Sequence, residues 1–90
     1  MELTDAIRIF VEEKLFALEK FCEGYSPCDI AVEVGKTTNG QHKGDIWKAE
    51  YMLTIPGHMF RVERITDDLY AAIDLAKDEL KRQIIEYKRK

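Results

Sequence analysis

The spacing of hydrophobic residues changes twice along this 90-residue chain, and that change limits the folds open to it. From Thr4 to about Cys22, apolar residues recur every three or four positions, which is typical of one face of an α-helix. Over 29–65 they alternate with polar residues, which is typical of half-buried β-strands. Helical spacing returns after Thr66. The order therefore predicts a sheet with one helix before it and one after it.

The first helix carries its own start and stop signals. Thr4 is a good N-cap, Asp5 suits the positive end of a helix, and Gly24 is a plausible residue just past its end. At about 100° per residue, five apolar side chains fall on one face of this helix: Ile7, Val11, Leu15, Leu18 and Cys22. We expect that face, including the Cys22 thiol, to pack against the sheet.

Three strands are predicted, over 29–36, 45–55 and 59–65. An Asn-Gly pair within 37–44 predicts a hairpin connection, and Pro56-Gly57 predicts the next turn, so the strands form an antiparallel meander. In the middle strand, alternation assigns inward and outward positions. Trp47, Ala49, Tyr51, Leu53 and Ile55 face in, whereas Lys48, Glu50 and Thr54 face out.

The second helix is predicted to be capped by Thr66, to begin at Asp67-Asp68, and to reach Lys88 or beyond. The two aspartates suit the helix dipole better than they suit a general acid–base pair. Its inner stripe is Leu69, Ile73, Ala76, Leu80, Ile84 and Tyr87. The predicted fold class is α+β, of order α-β-β-β-α, with both helices on one face of the sheet in a single domain over 1–90.

Composition excludes several classes of protein. The chain is 46% hydrophobic and 34% charged, which favours a globular domain over a disordered one. A net charge of −3 gives no general attraction to nucleic acid or to anionic membranes. No apolar run is long enough to span a bilayer, and the first residues lack the features of a signal peptide, so we expect a cytoplasmic location.

Nothing in the sequence predicts catalysis, a cofactor or a metal site. Cys22 and Cys28 do not have the spacing of a zinc motif, and His42 and His58 both fall in predicted turns. There is no glycine-rich phosphate loop and no serine in a nucleophile elbow. A binding function is therefore expected, rather than an enzymatic one.

The last residues of the chain are strongly basic. Residues 77–90 hold six basic and three acidic side chains, on two flanks of the predicted helix. Lys77, Lys81 and Lys88 share one flank, and Arg82 and Arg89 share the other. These cations could clamp phosphates, or they could be the ordinary basic last turns of a helix. If the two helices lie side by side, Lys14 and Lys20 could join them in one stripe.

Much of the chain resembles the ribosome hibernation-promoting factors, which are also called ribosome-associated inhibitors or ribosomal subunit interface proteins. The resemblance lies in ELTDAIRIFVEEKLFALEKF at 2–21, KAEYMLTIPG at 48–57 and DDLYAAIDLAKDELKRQIIEYK at 67–88. Its most specific part is 68–74 followed by Leu80, Arg82 and Gln83.

The resemblance implies a protein that occupies the small-subunit groove where messenger and transfer RNA would lie, contacts ribosomal RNA, and stops translation on idle ribosomes. The expected partner is therefore the small ribosomal subunit, with no DNA and no membrane. Among the expected RNA contacts, Lys14, Lys20 and Arg82 match positions where the family commonly has a cation, and Lys48 lies at the start of a matching strand. The basic second helix adds Lys77, Lys81, Lys88 and Arg89. Ala17, Glu79 and Glu86 stand where some relatives carry a basic residue.

The resemblance also implies a short strand ahead of Leu3, for which this sequence leaves almost no residues. Either residues before Met1 supply it, or the 30–34 strand becomes an open edge that can pair with a second copy. A homodimer would then use Ile30, Val32 and Val34, with Ile9 and Phe16 as further apolar surface.

Two alternatives stay open at this point. The order α-β-β-β-α is also that of double-stranded RNA-binding modules, although Asp67-Asp68 stands where such a module needs lysines. A protein-interaction domain of the same fold, with weak or no ribosome affinity, is favoured by the acidic net charge and by Glu79 and Glu86.

Overall fold

The computed structural model describes residues 4–37 and 46–89, and it confirms the predicted order of elements. The elements are α1 (Asp5–Glu19) with a 3₁₀ turn at Lys20–Cys22, β1 (Asp29–Thr37), β2 (Ile46–Ile55), β3 (His58–Thr66) and α2 (Leu69–Lys88). Thr37, predicted to lie in the connection, is the last residue of β1. The rest of that predicted connection, including His42, lies outside the described residues, and so does Asp45, which was predicted to begin the middle strand.

The strands form an antiparallel sheet in the order β1-β2-β3. Val32, Tyr51 and Val62 lie opposite one another across it, with their side chains toward the helices. Tyr51 is fully buried at the centre of this layer, and its hydroxyl donates a hydrogen bond of 3.1 Å to the carbonyl of Ile73 in α2. Burial raises the pKa of the Tyr51 hydroxyl, with smaller contributions from Asp74 and Asp78.

The two helices are buried to different extents. Most of the predicted inner stripe of α2 is buried, namely Leu69, Ile73, Ala76, Leu80 and Ile84, whereas Leu18 is the one buried residue of α1. Ile7, Val11 and Leu15 of α1 are only partly buried against this core. The main core therefore lies between α2 and the sheet, and α1 packs beside α2 as a partial cover. No helix within the described residues is long and apolar enough to cross a membrane.

The start of α2 corrects one prediction. Thr66 does not cap the helix, because it still pairs with Trp47 as the last residue of β3. The N-cap is Asp68, whose carboxylate accepts the Tyr70 N–H at 3.0 Å. The Thr66 hydroxyl instead accepts the N–H of Asp68 at 3.0 Å and fixes the turn between strand and helix.

Glu50 is more buried than its position on the outer face of the sheet suggests. It lies on the outer face of β2, as alternation predicted, yet it is only 5% exposed. One carboxylate oxygen, Oε2, accepts a hydrogen bond of 2.9 Å from Arg61 Nε, and Arg61 Nη2 lies 2.9 Å from the same oxygen. Glu33 and Glu63 flank it in register on the neighbouring strands. A central strand has neighbours on both sides, and the Arg61 guanidinium lies against the carboxylate with a charge-assisted hydrogen bond.

Candidate nucleic-acid interface

The helices α1 and α2 lie side by side and run in the same direction. Phe10 meets Tyr70 with ring centroids 4.9 Å apart at an edge-to-face angle of 80°. One turn further along, the Lys14 ammonium lies 3.0 Å from a carboxylate oxygen of Asp74. Later residues of α1 therefore contact later residues of α2, so the two helices are parallel and their N-termini lie at the same end of the molecule.

The line where the helices meet carries four lysines, and we call it the helix seam: Lys14, Lys77, Lys81 and Lys88. Lys14, Lys81 and Lys88 each contact a side chain from across this line, and helical spacing places Lys77 between Asp74 and Lys81 on the same flank of α2. Lys81 and Lys88 each rest on an aromatic ring contributed from the α1 side. The Lys81 ammonium lies 5.2 Å from the centroid of the Phe21 ring. The Lys88 ammonium lies 5.6 Å from the centroid of the Tyr25 ring. These are cation–π contacts, which hold an ammonium in place while leaving its N–H donors free for another partner.

The other two seam lysines are paired with carboxylates. Lys14 bonds to Asp74 and also lies 4.8 Å from the Phe10 centroid. Lys77 lies 3.0 Å from Asp78, and its side chain is only 17% exposed. Neither Lys81 nor Lys88 forms a salt bridge with a carboxylate within residues 4–37 and 46–89. The seam therefore has two paired lysines and two that are held only by rings.

Arg82 lies on the opposite flank of α2, where it is enclosed by acidic side chains. Its guanidinium donates to both carboxylate oxygens of Glu79 and to Glu86. Arg64 of β3 lies 3.5 Å from the same Glu79. Hydrogen bonds from Arg82, and then from Gln83, lower the pKa of the Glu79 carboxyl to about 2. Arg82 is thus engaged in a charge network that ties α2 to β3.

The remaining predicted contacts are not on the seam. Lys20 covers the Phe16 ring at 5.5 Å on the outward side of α1. Lys48 lies on the outer face of the sheet, 3.8 Å from Glu63. Arg89 is exposed at the end of α2, where its backbone N–H caps the last turn. The structure thus brings together Lys14, Lys77, Lys81 and Lys88 of the eight predicted positions.

The residues predicted for self-association fall on two separate surfaces. Ile30, Val32 and Val34 lie on edge strand β1 and are partly buried against the core. Ile9 and Phe16 are 53% and 64% exposed on the side of α1 that faces away from the sheet.

A groove separates the end of α1 from the edge of β1. It has a volume of about 390 Å³, and Leu15, Cys22, Cys28 and Ile30 are among the residues that line it. Cys22 is partly buried against the core, as predicted. Burial, and next a hydrogen bond with Cys22, raise the pKa of the Cys28 thiol to about 12, so this thiol stays protonated at neutral pH.

One feature was not predicted at all. The side chains of Tyr25, His58, Phe60 and Tyr87 form an aromatic group at one end of the molecule, which we call the end cluster. His58 was assigned to a turn and Tyr87 to the inner stripe, and no sequence spacing connects the two. The cluster depends on where the β2–β3 turn lies relative to the last turn of α2, which is a tertiary property.

The arrangement of a three-stranded sheet with two parallel helices on one face matches two solved structures. The N-terminal domain of Protein Y from Thermus thermophilus aligns with a TM-score of 0.70 and 37% identity, over 97% of this chain and 88% of that one. A ribosomal subunit interface protein from Coxiella burnetii has the same fold, with a TM-score of 0.70 at 22% identity. The fold is thus that of the ribosomal subunit interface proteins.

Sequence comparison identifies the family. A protein-family model with the description "Sigma 54 modulation protein / S30EA ribosomal protein" matches residues 1–90, and the chain belongs to this family. It is 33% identical to a ribosome hibernation promotion factor of Deinococcus radiodurans, over 98% of this chain but 44% of that protein. A ribosome hibernation promoting factor of Azotobacter vinelandii is 33% identical over all of this chain and 77% of its own length. This confirms the resemblance, and the names of these two relatives refer to ribosome hibernation and not to a reaction.

Proposed function

We propose that this chain binds the small ribosomal subunit in the groove that messenger and transfer RNA occupy, and thereby inhibits translation on idle ribosomes. The observation that carries the proposal is the helix seam, where Lys81 and Lys88 rest on aromatic rings without a carboxylate partner among the described residues. Such a function requires a cytoplasmic location. The names of the matched relatives support the ribosome as the partner.

The chemistry of the seam suits a phosphate backbone. Two ammonium groups that lie on rings can donate to phosphate oxygens without first breaking an ion pair. Lys14 and Lys77 add positive charge to the same line, although each has an acidic neighbour. These contacts would position the protein on ribosomal RNA without reading its sequence. A net charge of −3 is compatible with this role because four lysines lie along one line of the surface, and a local patch can attract phosphate whatever the sign of the total charge.

The other predicted contacts rank lower in this proposal. Arg82 would first have to release Glu79 and Glu86, and Lys48 lies on the far side of the sheet. Lys20 and Arg89 are exposed and could contact RNA at the margins of the interface.

Co-sedimentation with purified small subunits, over a series of salt concentrations, tests the proposal. We expect binding that weakens as salt rises, with a slope that reflects the number of phosphates contacted. A Lys81→Ala/Lys88→Ala variant should lower that slope by about 2, or about 1 per lost contact. An Arg8→Ala/Lys36→Ala variant removes the same formal charge away from the seam and serves as the control.

Two results would contradict the proposal. Absence of binding at the lowest salt would favour the alternative, an interaction domain of the same fold without ribosome affinity. An equal loss of ribosome binding in the seam variant and in the control variant would show that net charge, and not the seam, governs binding. Displacement of a bound messenger fragment by the wild-type chain would locate it in the decoding groove.

A second proposal concerns self-association through β1, whose outer edge is not paired within the described residues. If two copies pair antiparallel about Val32, Ile30 of one lies opposite Val34 of the other, and the Glu33 carboxylates do not face each other. Sedimentation equilibrium should then show a dimer that Val32→Lys disrupts, while Thr54→Lys on the central strand does not. A monomer at every concentration would exclude the edge as a self-association site.

A further inference from the structure

We propose that the end cluster is a stacking site for an unpaired nucleobase of RNA, in addition to the phosphate contacts of the helix seam. The inference deepens the proposed function and rests on it for the identity of the RNA. It begins from an open pocket of about 190 Å³, lined by His58, Phe60, Gln83, Glu86 and Tyr87. Neither the seam nor the core explains why a polar ring is exposed there.

The backbone fixes the position of His58. The β2–β3 turn needs a positive φ of 82° at Gly57, which glycine adopts readily, and His58 is the first residue of β3 after it. That turn lies beside the last turn of α2, so His58 meets Tyr87 there. The His58 ring is stacked on Tyr87 with centroids 4.6 Å apart and an angle of 25° between planes. It also meets Phe60 edge to face at 4.5 Å.

These contacts hold one exposed ring in a fixed orientation. Phe60 is buried and Tyr87 is half-buried, so the support beneath His58 belongs to the body of the protein. His58 itself is exposed to solvent. A preformed aromatic surface of this kind stacks with any base, because every base has a π-face.

The pocket walls can meet the polar edge of a stacked base. Glu86 is held by Arg82, and the side-chain amide of Gln83 donates to Glu79 at 3.0 Å. Both side chains are therefore oriented in advance, and each keeps an oxygen that can accept a hydrogen bond from a base N–H.

The seam and the end cluster are continuous. Lys88, the last seam lysine, lies over the Tyr25 ring, and Tyr25 meets Tyr87 with centroids 6.0 Å apart. A line of cations that ends on an aromatic ring is the arrangement by which proteins bind single-stranded RNA, with phosphates along the basic line and a base on the ring.

An RNA hexamer of adenosines and an abasic hexamer of the same length and charge distinguish base stacking from charge attraction. Followed by NMR, the ring protons of His58 and Tyr87 should shift with the first and not with the second. His58→Ala should weaken binding of the base-bearing hexamer at least about fivefold, and His58→Trp should retain it. Met59→Ala is the matched control, because Met59 is the next residue, is exposed, and lies on the other face of the sheet.

Adenosine monophosphate, titrated in parallel, identifies the source of the base. Binding much weaker than that of the hexamer supports RNA, whereas equal affinity supports a free nucleotide at the same stacking site. Equal binding of the two hexamers, or equal effects of His58→Ala and Met59→Ala, would overturn the inference.

The two proposals can fail separately. If the chain sediments with small subunits through Lys81 and Lys88 but the hexamers bind alike, the proposed function stands and the stacking site falls. If the chain does not sediment with subunits and only the base-bearing hexamer shifts His58, the stacking site stands without the ribosome.

Discussion

The two flanks of α2 each carry basic side chains, but they hold them in opposite ways. On the flank toward α1, Lys81 and Lys88 rest on aromatic rings. On the flank toward β3, Arg82 is bonded to Glu79 and Glu86, and Arg64 approaches the same Glu79. The first flank keeps its hydrogen-bond donors for an outside partner, and the second uses them within the protein.

The difference teaches that a count of cations on a helix does not measure its capacity to bind phosphate. An ammonium on a ring keeps its donors exposed, whereas a guanidinium between two carboxylates is already neutralised locally. Two flanks of similar basic content can thus serve binding and structure respectively. Four predictions test this division of roles.

The largest effect is expected from the buried stripe on which both flanks depend. Leu80 is fully buried on the inner face of α2. Leu80→Ala should therefore lower the free energy of unfolding by about 2–5 kcal/mol, because it removes buried apolar surface and leaves a cavity. Urea denaturation followed by circular dichroism measures this. Leu75→Ala, at an exposed site on the same helix, is the control and should change stability far less.

The sharpest contrast between the flanks should appear in binding. Lys81→Ala should reduce the salt slope of ribosome binding by about 1, whereas Arg82→Ala should leave that slope unchanged. Parallel sedimentation of the two variants over a salt series compares them directly. A larger loss from Arg82→Ala than from Lys81→Ala would reverse the roles assigned to the two flanks.

A smaller effect on stability is expected from the hydrogen bond that joins the inner face of α2 to β2. Tyr51→Phe removes the hydrogen bond from the Tyr51 hydroxyl to the Ile73 carbonyl and should lower the free energy of unfolding by about 1 kcal/mol. Thermal melting measures the loss. The salt slope of ribosome binding should stay that of the wild type, since neither flank is altered.

The smallest effect concerns the pH dependence of stability that arises from Glu79, on the flank of α2 toward β3. The pKa of Glu79 is about 2 in the folded chain, against an ordinary value of 4.5, so its ionised form favours folding above about pH 4.5. That contribution is lost as the pH falls toward 2. We therefore expect the stability advantage of the wild type over Glu79→Gln to shrink between about pH 5 and 2, as followed by acid titration. An advantage that grows over this range would mean that the carboxylate is not stabilised by Arg82.

Hydrophobic periodicity, together with the turn residues between the strands, was sufficient to predict the order of the elements. The spacing of apolar residues in α1 and α2, and their alternation in β2, reflect which residues of each element are buried. This spacing can be read from neighbouring positions in the sequence. The ends of elements were less predictable. Thr66 and Asp68 are both good caps by residue type, and the choice between them depends on how far β3 stays paired with β2.

The site was predictable only in part, because partners on other elements decide the role of a charge. A helical projection separates Lys81 from Arg82, but it does not show which flank faces α1. Arg64 and Phe21 settle that question, and they come from β3 and from the turn after α1. The burial of Glu50 likewise depends on Arg61 of the neighbouring strand.

The parallel course of α1 and α2 gives the molecule a direction. The described residues extend over 43 × 27 × 16 Å, so the protein is a flattened rod whose two ends differ. One end holds both helix starts, with Thr4 and Asp68 as caps, and the other holds Lys88 and His58. Turned end for end in a narrow cleft, the rod would present a different surface to every contact. A cleft that accepts it lengthwise can therefore admit it in one orientation and reject the reverse.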